Sequence, residues 1–99
     1  MKLRILREAE QEIDEAAAYY AREAPGVVAR FFGEVDHALA QLAERPLAYA
    51  EVDRRYRGCV MTRFPYTVMY ELGVDEIIVH AFAHHSRRPG YWRDRNLGQ

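Results

Sequence analysis

The stretch from His84 to Arg95, HHSRRPGYWRDR, holds most of the side chains in this sequence that are suited to chemistry. Arginine and histidine neutralise phosphate charge, and an exposed aromatic ring stacks on a nucleobase or fills a pocket of another protein. Because exposed ion pairs stabilise so small a fold very little, we interpret the arginine cluster as a functional surface. In the alternative interpretation, Tyr91 and Trp92 anchor the tail on the domain, and the arginines are solvated or paired with the acidic helices. For Trp92 this packing role is favoured.

His80 and His84 are four residues apart, a spacing that on a helix suits a shared zinc ion. The residues between them continue a strand pattern, and four strand residues span roughly 13 Å, which is too far for two ligands of one metal. We therefore expect no metal site, and we expect His80 to be a core or partly buried histidine with a hydrogen-bonded ring. The single cysteine, Cys59, is interpreted as a buried strand residue and not as a nucleophile.

No Ser/His/Asp arrangement and no glycine-rich phosphate loop occurs, so no cofactor is expected. The 99 residues suit one domain over residues 1–99. No apolar run approaches the roughly 20 residues that a membrane span needs, so we expect no membrane association. The first apolar stretch ends at Leu6, too early for a signal peptide, and this predicts a cytoplasmic location.

The charge is divided along the sequence. Residues 1–53 carry 11 acidic and 6 basic side chains, whereas residues 54–99 carry 4 acidic and 8 basic ones, within a net charge of −1. Separation of this kind predicts an acidic face and a basic face on one fold.

Hydrophobic spacing predicts the elements that must position the tail. KLRIL, residues 2–6, alternates like a short strand. Apolar residues then recur at intervals of three and four over residues 9–22 and again from Val28 to Pro46, which predicts two amphipathic helices. The short connection APG between them favours an antiparallel helical hairpin.

After a predicted loop over residues 47–56, the period changes to two in CVMTRF, YTVMYEL and EIIVHAFA, which begin at residues 59, 66 and 76. These are predicted to be three strands with short links. The element order β-α-α-β-β-β predicts an α+β fold, in which the helical hairpin packs on a curved, mainly antiparallel sheet of about four strands.

Two motifs carry a resemblance to a known family. One is FPY, residues 64–66, leading into a strand that ends at Tyr70, and the other is H-x-x-R-x-P-x-x-W, formed by His84, Arg87, Pro89 and Trp92. With the helical segments AEQEIDEAAAYY and FFGEVDHALAQLAERP, the sequence resembles the RelE/ParE superfamily of bacterial toxins over nearly its whole length. The spacing of the second motif is typical of its ParE-like, plasmid-stabilisation members.

The resemblance implies one of two activities. RelE-like members cleave mRNA in the ribosome with a basic cluster and a tail tyrosine, whereas ParE-like members inhibit DNA gyrase without a hydrolytic site of their own. The nuclease group commonly has an arginine where this sequence has Thr67, so we favour the non-enzymatic gyrase inhibitor. The endoribonuclease remains the alternative, with Arg63 among its phosphate-stabilising groups, and a non-toxic binding module is the third interpretation.

The resemblance also implies a partner and a set of site residues. The expected partner is a cognate antitoxin, which forms a hetero-oligomer with the toxin and wraps the helical hairpin and a sheet edge. If the protein is a nuclease, the catalytic residues are His84, Arg87 and Tyr91. The expected target-binding residues are Arg57, Arg63, Arg87, Arg88, Tyr91 and Trp92.

Overall fold

The computed structural model describes residues 1–98. A short 3₁₀ helix, Pro25–Val27, joins the two α-helices. None of the helices in this range is both long enough and apolar enough to cross a membrane. The elements in chain order are β1 (Lys2–Ile5), α1 (Arg7–Glu23), α2 (Val28–Glu44), β2 (Ala50–Glu51), β3 (Tyr56–Val60), β4 (Tyr66–Gly73) and β5 (Glu76–His84).

The sheet has five strands in the order β1-β5-β4-β3-β2. β1 pairs in parallel with β5, and the other neighbours are antiparallel. The two helices pack on this open mixed sheet, which confirms the predicted α+β fold. The sheet has one strand more than predicted, β2, which lies inside the segment predicted as a loop. It was not predicted because two residues are too few to show any periodicity.

The boundaries predicted for the strand CVMTRF are wrong. The apolar run CVMTRF indicated a strand over residues 59–64, whereas β3 spans Tyr56–Val60. Met61 and Phe64 belong to a tight connection, in which the Tyr66 N–H donates to the Phe64 carbonyl at 2.8 Å. Both side chains are buried by packing beneath the helices, so their hydrophobicity reflects burial and not strand pairing.

The main core lies between the helices and one face of the sheet. Phe31 on α2 is at its centre, with ring centroids 5.3 Å from Phe64 and 5.8 Å from Phe82. Cys59 is buried in the same core, as predicted, and burial raises the pKa of its thiol. The helix residues that fill this core recur at the three- and four-residue spacing seen in the sequence, and they are Ala9, Ala16, Ala17, Phe31, Val35, Ala38 and Leu42.

A β-bulge in β5 places the two histidines of that strand on opposite faces. Tyr70 pairs with Val79 and Met69 with Ala81, so His80 is an extra residue between the two pairs. The His80 ring is fully buried against Tyr56, on the side away from the helices. His84 instead contacts Tyr66, 5.0 Å away on the helix side. The predicted burial of His80 is thus confirmed, and the two rings do not converge. The expectation of a fully hydrogen-bonded ring holds only for Nε2, which is 2.6 Å from Oε1 of Glu71, because Nδ1 is buried without a partner among residues 1–98.

Candidate functional site

The C-terminal tail folds back over the sheet face that the helices leave uncovered. Trp92 is 4% exposed and packs in a second small core with Tyr56, Met69 and Ala81. Its ring centroid is 4.5 Å from that of Tyr56, in an edge-to-face arrangement. Trp92 therefore anchors the tail, which is the packing role favoured from the sequence, and its ring has almost no surface to offer a target.

Tyr91, the neighbour of Trp92, is tied to the first helix. Its hydroxyl donates to Oε2 of Glu12 at 2.5 Å. Burial, reinforced by this carboxylate, raises the pKa of Tyr91 far above the ordinary value of 10.0. The phenol therefore keeps its proton at neutral pH, and it can donate a hydrogen bond but cannot act as a general base.

The carboxylate of Glu12 is held from three directions. Besides Tyr91, the backbone N–H of Phe82 donates to Oε1 at 3.0 Å. Arg95 donates through Nη1 to Oε1 and through Nη2 to Oε2, each at 3.0 Å, and Nη1 also donates to the His80 carbonyl at 2.8 Å. This two-pronged contact between planar groups is stronger and more specific in geometry than a single hydrogen bond between neutral groups. It joins α1, β5 and the tail.

Arg87 stacks on the ring of Tyr91. Its guanidinium carbon lies 3.8 Å from the centroid of the Tyr91 ring, a cation–π contact. The side chain is exposed and makes no ion pair with any residue in the range 1–98, and the same is true of Arg88. Two full positive charges therefore face solvent beside each other.

The three residues expected to be catalytic in a nuclease line one cavity of about 230 Å³. His84, Arg87 and Tyr91 share this cavity with Glu12 and Glu15. Nδ1 of His84 accepts hydrogen bonds from the backbone N–H of Ser86 at 3.0 Å and its hydroxyl at 2.8 Å, so a neutral ring carries its proton on Nε2. The structure thus brings the predicted trio together.

Arg57 and Arg63 lie elsewhere. Arg57 donates to the Tyr49 carbonyl at 2.8 Å and to Glu51 at 3.1 Å, so it supports the short strand β2. Arg63 is exposed in the connection between β3 and β4 and forms no ion pair within residues 1–98. Neither residue lines the cavity that contains Arg87.

A wider groove of about 490 Å³ runs between the tail and the uncovered sheet face. Its floor is apolar and includes Val60, Met69 and Ala83. Thr67 also lies on it, and its hydroxyl is 3.0 Å from Nε2 of His85. The rim of the groove is basic and consists of His85, Arg87, Arg88 and Arg93.

The predicted separation of charge into two faces is only partly present. Four arginines of the second half pair with carboxylates: Arg55 with Glu71, Arg57 with Glu51, Arg93 with Asp53 and Arg95 with Glu12. The other four, Arg54, Arg63, Arg87 and Arg88, form no ion pair within the described range 1–98. The excess positive charge near the tail is therefore concentrated at Arg87 and Arg88.

Comparison with known proteins places this geometry in a family. The family described as "ParE toxin of type II toxin-antitoxin system, parDE" matches residues 3–89. The chain belongs to the ParE toxin family. The matched range covers nearly the whole sheet and both helices, and it includes the His84, Arg87 and Pro89 positions of the tail motif.

Individual relatives agree with this membership in the ParE toxin family. Toxin ParE2 from two strains of Mycobacterium tuberculosis, CDC 1551 / Oshkosh and ATCC 25618 / H37Rv, is 29% identical over 89 residues, which cover 89% of this chain and 85% of the relative. A solved structure described as the chromosomal ParDE TA system from P. aeruginosa has a TM-score of 0.75 at 16% identity. The superposition covers 85% of this chain and 95% of the chain in that structure, and the likeness shows a shared fold.

Sequence reasoning missed one central residue of this ParE-family site, Glu12. An acidic side chain on an amphipathic helix is expected to face solvent, yet Glu12 lies three residues after Ala9 and four before Ala16, both of which are buried. That spacing places it beside the buried stripe and was the available signal. Asp53 forms an ion pair with Arg93 at 2.6 Å. It gave no comparable signal in the sequence, because it lies in a loop, where no periodicity marks the buried positions.

Proposed function

We propose that this ParE-family toxin inhibits DNA gyrase by binding it and is neutralised by a cognate antitoxin. The observation that carries the proposal is the state of the tail. Arg87 and Arg88 are exposed and have no ion-pair partner in residues 1–98, while the hydroxyl of Tyr91 is committed to Glu12. This arrangement offers charge for binding, and its tyrosine is not available for proton abstraction.

The chemistry of the tail supports binding more than cleavage. A phosphoryl-transfer site requires fixed positive charge at the transition state and a group that removes a proton. Thr67 occupies the strand position where, by the resemblance, the nuclease group commonly has an arginine, and its hydroxyl contacts His85. Because the pKa of Tyr91 is raised, this residue does not supply the base either.

An antitoxin partner is supported by the surface of the helical hairpin and by the solved neighbour. Tyr19 on α1 and Phe32 on α2 are large aromatic residues that remain 51% and 41% exposed. β2 ends the sheet with only two residues, and an incompletely paired edge can accept an added strand. The neighbour from P. aeruginosa is described as a ParDE TA system, and the matching family is described as belonging to a toxin-antitoxin system.

A RelE-like endoribonuclease is the second candidate, because His84, Arg87 and Tyr91 line one cavity. In this alternative His84 supplies the acid or base and Arg87 stabilises the phosphate, whereas Tyr91 acts only as a hydrogen-bond donor. The two functions differ in what the purified protein does. A gyrase inhibitor blocks supercoiling or traps cleaved DNA, and a nuclease cuts mRNA on ribosomes.

Both assays should be run on one preparation, with the double variant Arg87→Ala/Arg88→Ala and with Arg54→Ala as a control for the loss of an exposed arginine elsewhere. Arg54 is also exposed and forms no ion pair with residues 1–98. We expect gyrase inhibition by the parent and by the control, and loss of inhibition in the double variant. Cleavage of ribosome-bound mRNA that disappears in His84→Ala, with gyrase unaffected, would show the nuclease to be correct.

The antitoxin is tested by co-expression with the product of the adjoining gene, followed by size-exclusion chromatography. A single complex peak is expected at micromolar concentration. Substituting both Tyr19 and Phe32 with serine should weaken the complex if the hairpin is the contact surface. Two separate peaks for the unsubstituted proteins would contradict the proposed partner.

A further inference from the structure

Three side chains form a continuous line from the first helix to the free surface of the tail. Glu12 accepts the hydrogen bond of the Tyr91 hydroxyl, and the Tyr91 ring carries the guanidinium of Arg87 at 3.8 Å. Glu12 does not contact Arg87 through any hydrogen bond or ion pair among residues 1–98. The contact that leads from Glu12 to Arg87 is therefore the Tyr91 side chain, which touches both.

The ends of this line differ in how firmly they are held. Glu12 is an anchored group, since its side chain is only 14% exposed and its two oxygens accept bonds from Phe82, Tyr91 and Arg95. Arg87 is exposed and lacks a carboxylate in residues 1–98 to hold it, so the Tyr91 ring is its support. An arginine that is already held in one arrangement loses less conformational freedom on binding than a free one.

We propose that Glu12 is a positioning residue for target binding, acting by fixing the Tyr91 ring on which Arg87 is presented. The inference rests on the proposed function, because it assigns Arg87 to the surface that meets the target. Glu12 does not contact the target in this proposal. Its role is to orient a residue 75 positions later in the chain, where the sequence alone shows no connection.

A double-mutant cycle tests whether Glu12 acts through Arg87. The affinity of purified gyrase for the parent, Glu12→Ala, Arg87→Ala and the double variant is measured as Kd. We expect Glu12→Ala to weaken binding roughly 3- to 10-fold, the range that corresponds to one immobilised side chain. In the Arg87→Ala background the same substitution should change Kd by less than about 2-fold, since the supported group is already absent.

Glu10→Ala is the matched control, because Glu10 is an exposed acid on the same helix. Being two residues from Glu12, it points to a different side of the helix. It removes the same charge and should leave Kd unchanged. Tyr91→Phe repeats the test with less disturbance, since it keeps the ring beneath Arg87 and removes only the hydroxyl; Glu12→Gln should restore most of the affinity by keeping an acceptor oxygen.

A second readout requires no target. The Nε–H resonance of Arg87 in a ¹⁵N-labelled sample is shifted by the Tyr91 ring current when the two groups are stacked. We expect this shift to persist in Glu12→Gln and Glu10→Ala and to collapse toward the value of a free arginine in Glu12→Ala. Emission from Trp92, the single tryptophan, reports whether the tail stays docked in each variant.

The outcomes distinguish the positioning role from the proposed function. Additive effects of Glu12→Ala and Arg87→Ala on Kd, or an Arg87 resonance that does not respond to Glu12→Ala, would overturn the positioning role. If the parent binds gyrase and Arg87→Ala binds it equally well, Arg87 is not part of the binding surface and the positioning role for target binding fails. If the parent does not bind gyrase, the proposed function fails. In that case the Arg87 resonance still decides whether Glu12 positions the side chain.

Discussion

Arg95 and Glu12 are 83 residues apart in sequence and form a two-pronged ion pair, with both nitrogen–oxygen distances at 3.0 Å. Their side chains are 15% and 14% exposed, so water screens the pair only weakly. The contact closes the tail against α1 and, through the His80 carbonyl, against β5. The stability of the tail should therefore depend on this pair.

Substituting Arg95 with alanine should destabilise the protein. It leaves the Glu12 carboxylate largely buried without its cation, at an expected cost of about 1–3 kcal/mol in the free energy of unfolding. Urea unfolding followed by Trp92 fluorescence measures the change. Arg88→Ala removes an exposed arginine without an ion pair in residues 1–98 and should stay within about 0.5 kcal/mol of the parent. Equal effects of the two substitutions would contradict a structural role for Arg95.

Trp92 should contribute more to stability than an exposed aromatic residue such as Tyr19. Trp92→Ala removes the centre of the second core and should cost about 3–5 kcal/mol. Tyr19→Ala, at a position 51% exposed, should cost less than about 1 kcal/mol. Thermal unfolding followed by circular dichroism is suitable, because the first variant lacks the fluorophore. A Trp92→Ala protein as stable as the parent would mean that the tail does not dock through this ring.

Stability should fall on acidification because of His80. Its Nε2 is 2.6 Å from Oε1 of Glu71, but burial outweighs that attraction and lowers the pKa of His80 below the ordinary 6.5. The unfolded chain then binds a proton at His80 more readily than the folded chain does. The contribution of His80 to stability is therefore complete above about pH 6.5 and is lost as the pH falls from there through the lowered pKa. The pKa of Glu71 is also lowered: burial alone would raise it, but hydrogen bonds from Arg55 and His80 prevail. Its contribution is lost at still lower pH.

The measurement is the urea midpoint at a series of pH values from neutral into the mildly acidic range. The parent should lose stability over this range, and His80→Gln, which does not titrate, should show a shallower slope even if it is less stable at neutral pH. His37→Gln changes an exposed histidine on α2 and should keep the parental slope. Parallel slopes for the parent and His80→Gln would rule out His80 as the origin of the pH dependence.

Two glycine substitutions should have opposite signs. Gly33 lies inside α2, and no atom outside its own helical turn lies within 4 Å of the place that a Cβ would occupy, so Gly33→Ala should stabilise the helix by about 0.5–1 kcal/mol. Gly90 has a φ of +76°, and an added Cβ would lie 3.0 Å from Nε of Arg93. Gly90→Ala should therefore destabilise by about 1 kcal/mol. Melting temperatures that move in the same direction would contradict the backbone geometry of the tail turn.

The elements of the fold were largely predictable because their periodicity reflects which face is buried. The spacing from Ala9 to Ala17 and from Phe31 to Leu42 marks the stripes that pack on the sheet. The errors in the predicted strand boundaries occurred at residues that are buried without pairing in the sheet, or that pair in the sheet without being buried. Met61 and Phe64 are buried without belonging to a strand, and Ala50–Glu51 pairs without being buried.

The tail was recognisable from its residue types, and the family from the tail motif taken together with FPY, residues 64–66, and the two helical segments. The family match over residues 3–89 confirms it. Composition could not assign roles within the tail. Trp92 packs, Tyr91 is tied to a helix and Arg87 remains exposed, although all three lie within six residues. Their roles differ because the fold places different groups in contact with each side chain.

The sequence by itself thus determined the α+β class, the family and the cationic character of the tail, because these depend on local spacing and residue type. The tertiary structure alone decided that Glu12 holds Tyr91 and Arg95, and that a bulge at His80 turns it away from His84. The physical reason is that a hydrogen bond or ion pair needs its atoms within about 3 Å. For groups as far apart in sequence as Glu12 and Arg95, that proximity is set only when the helices and strands pack.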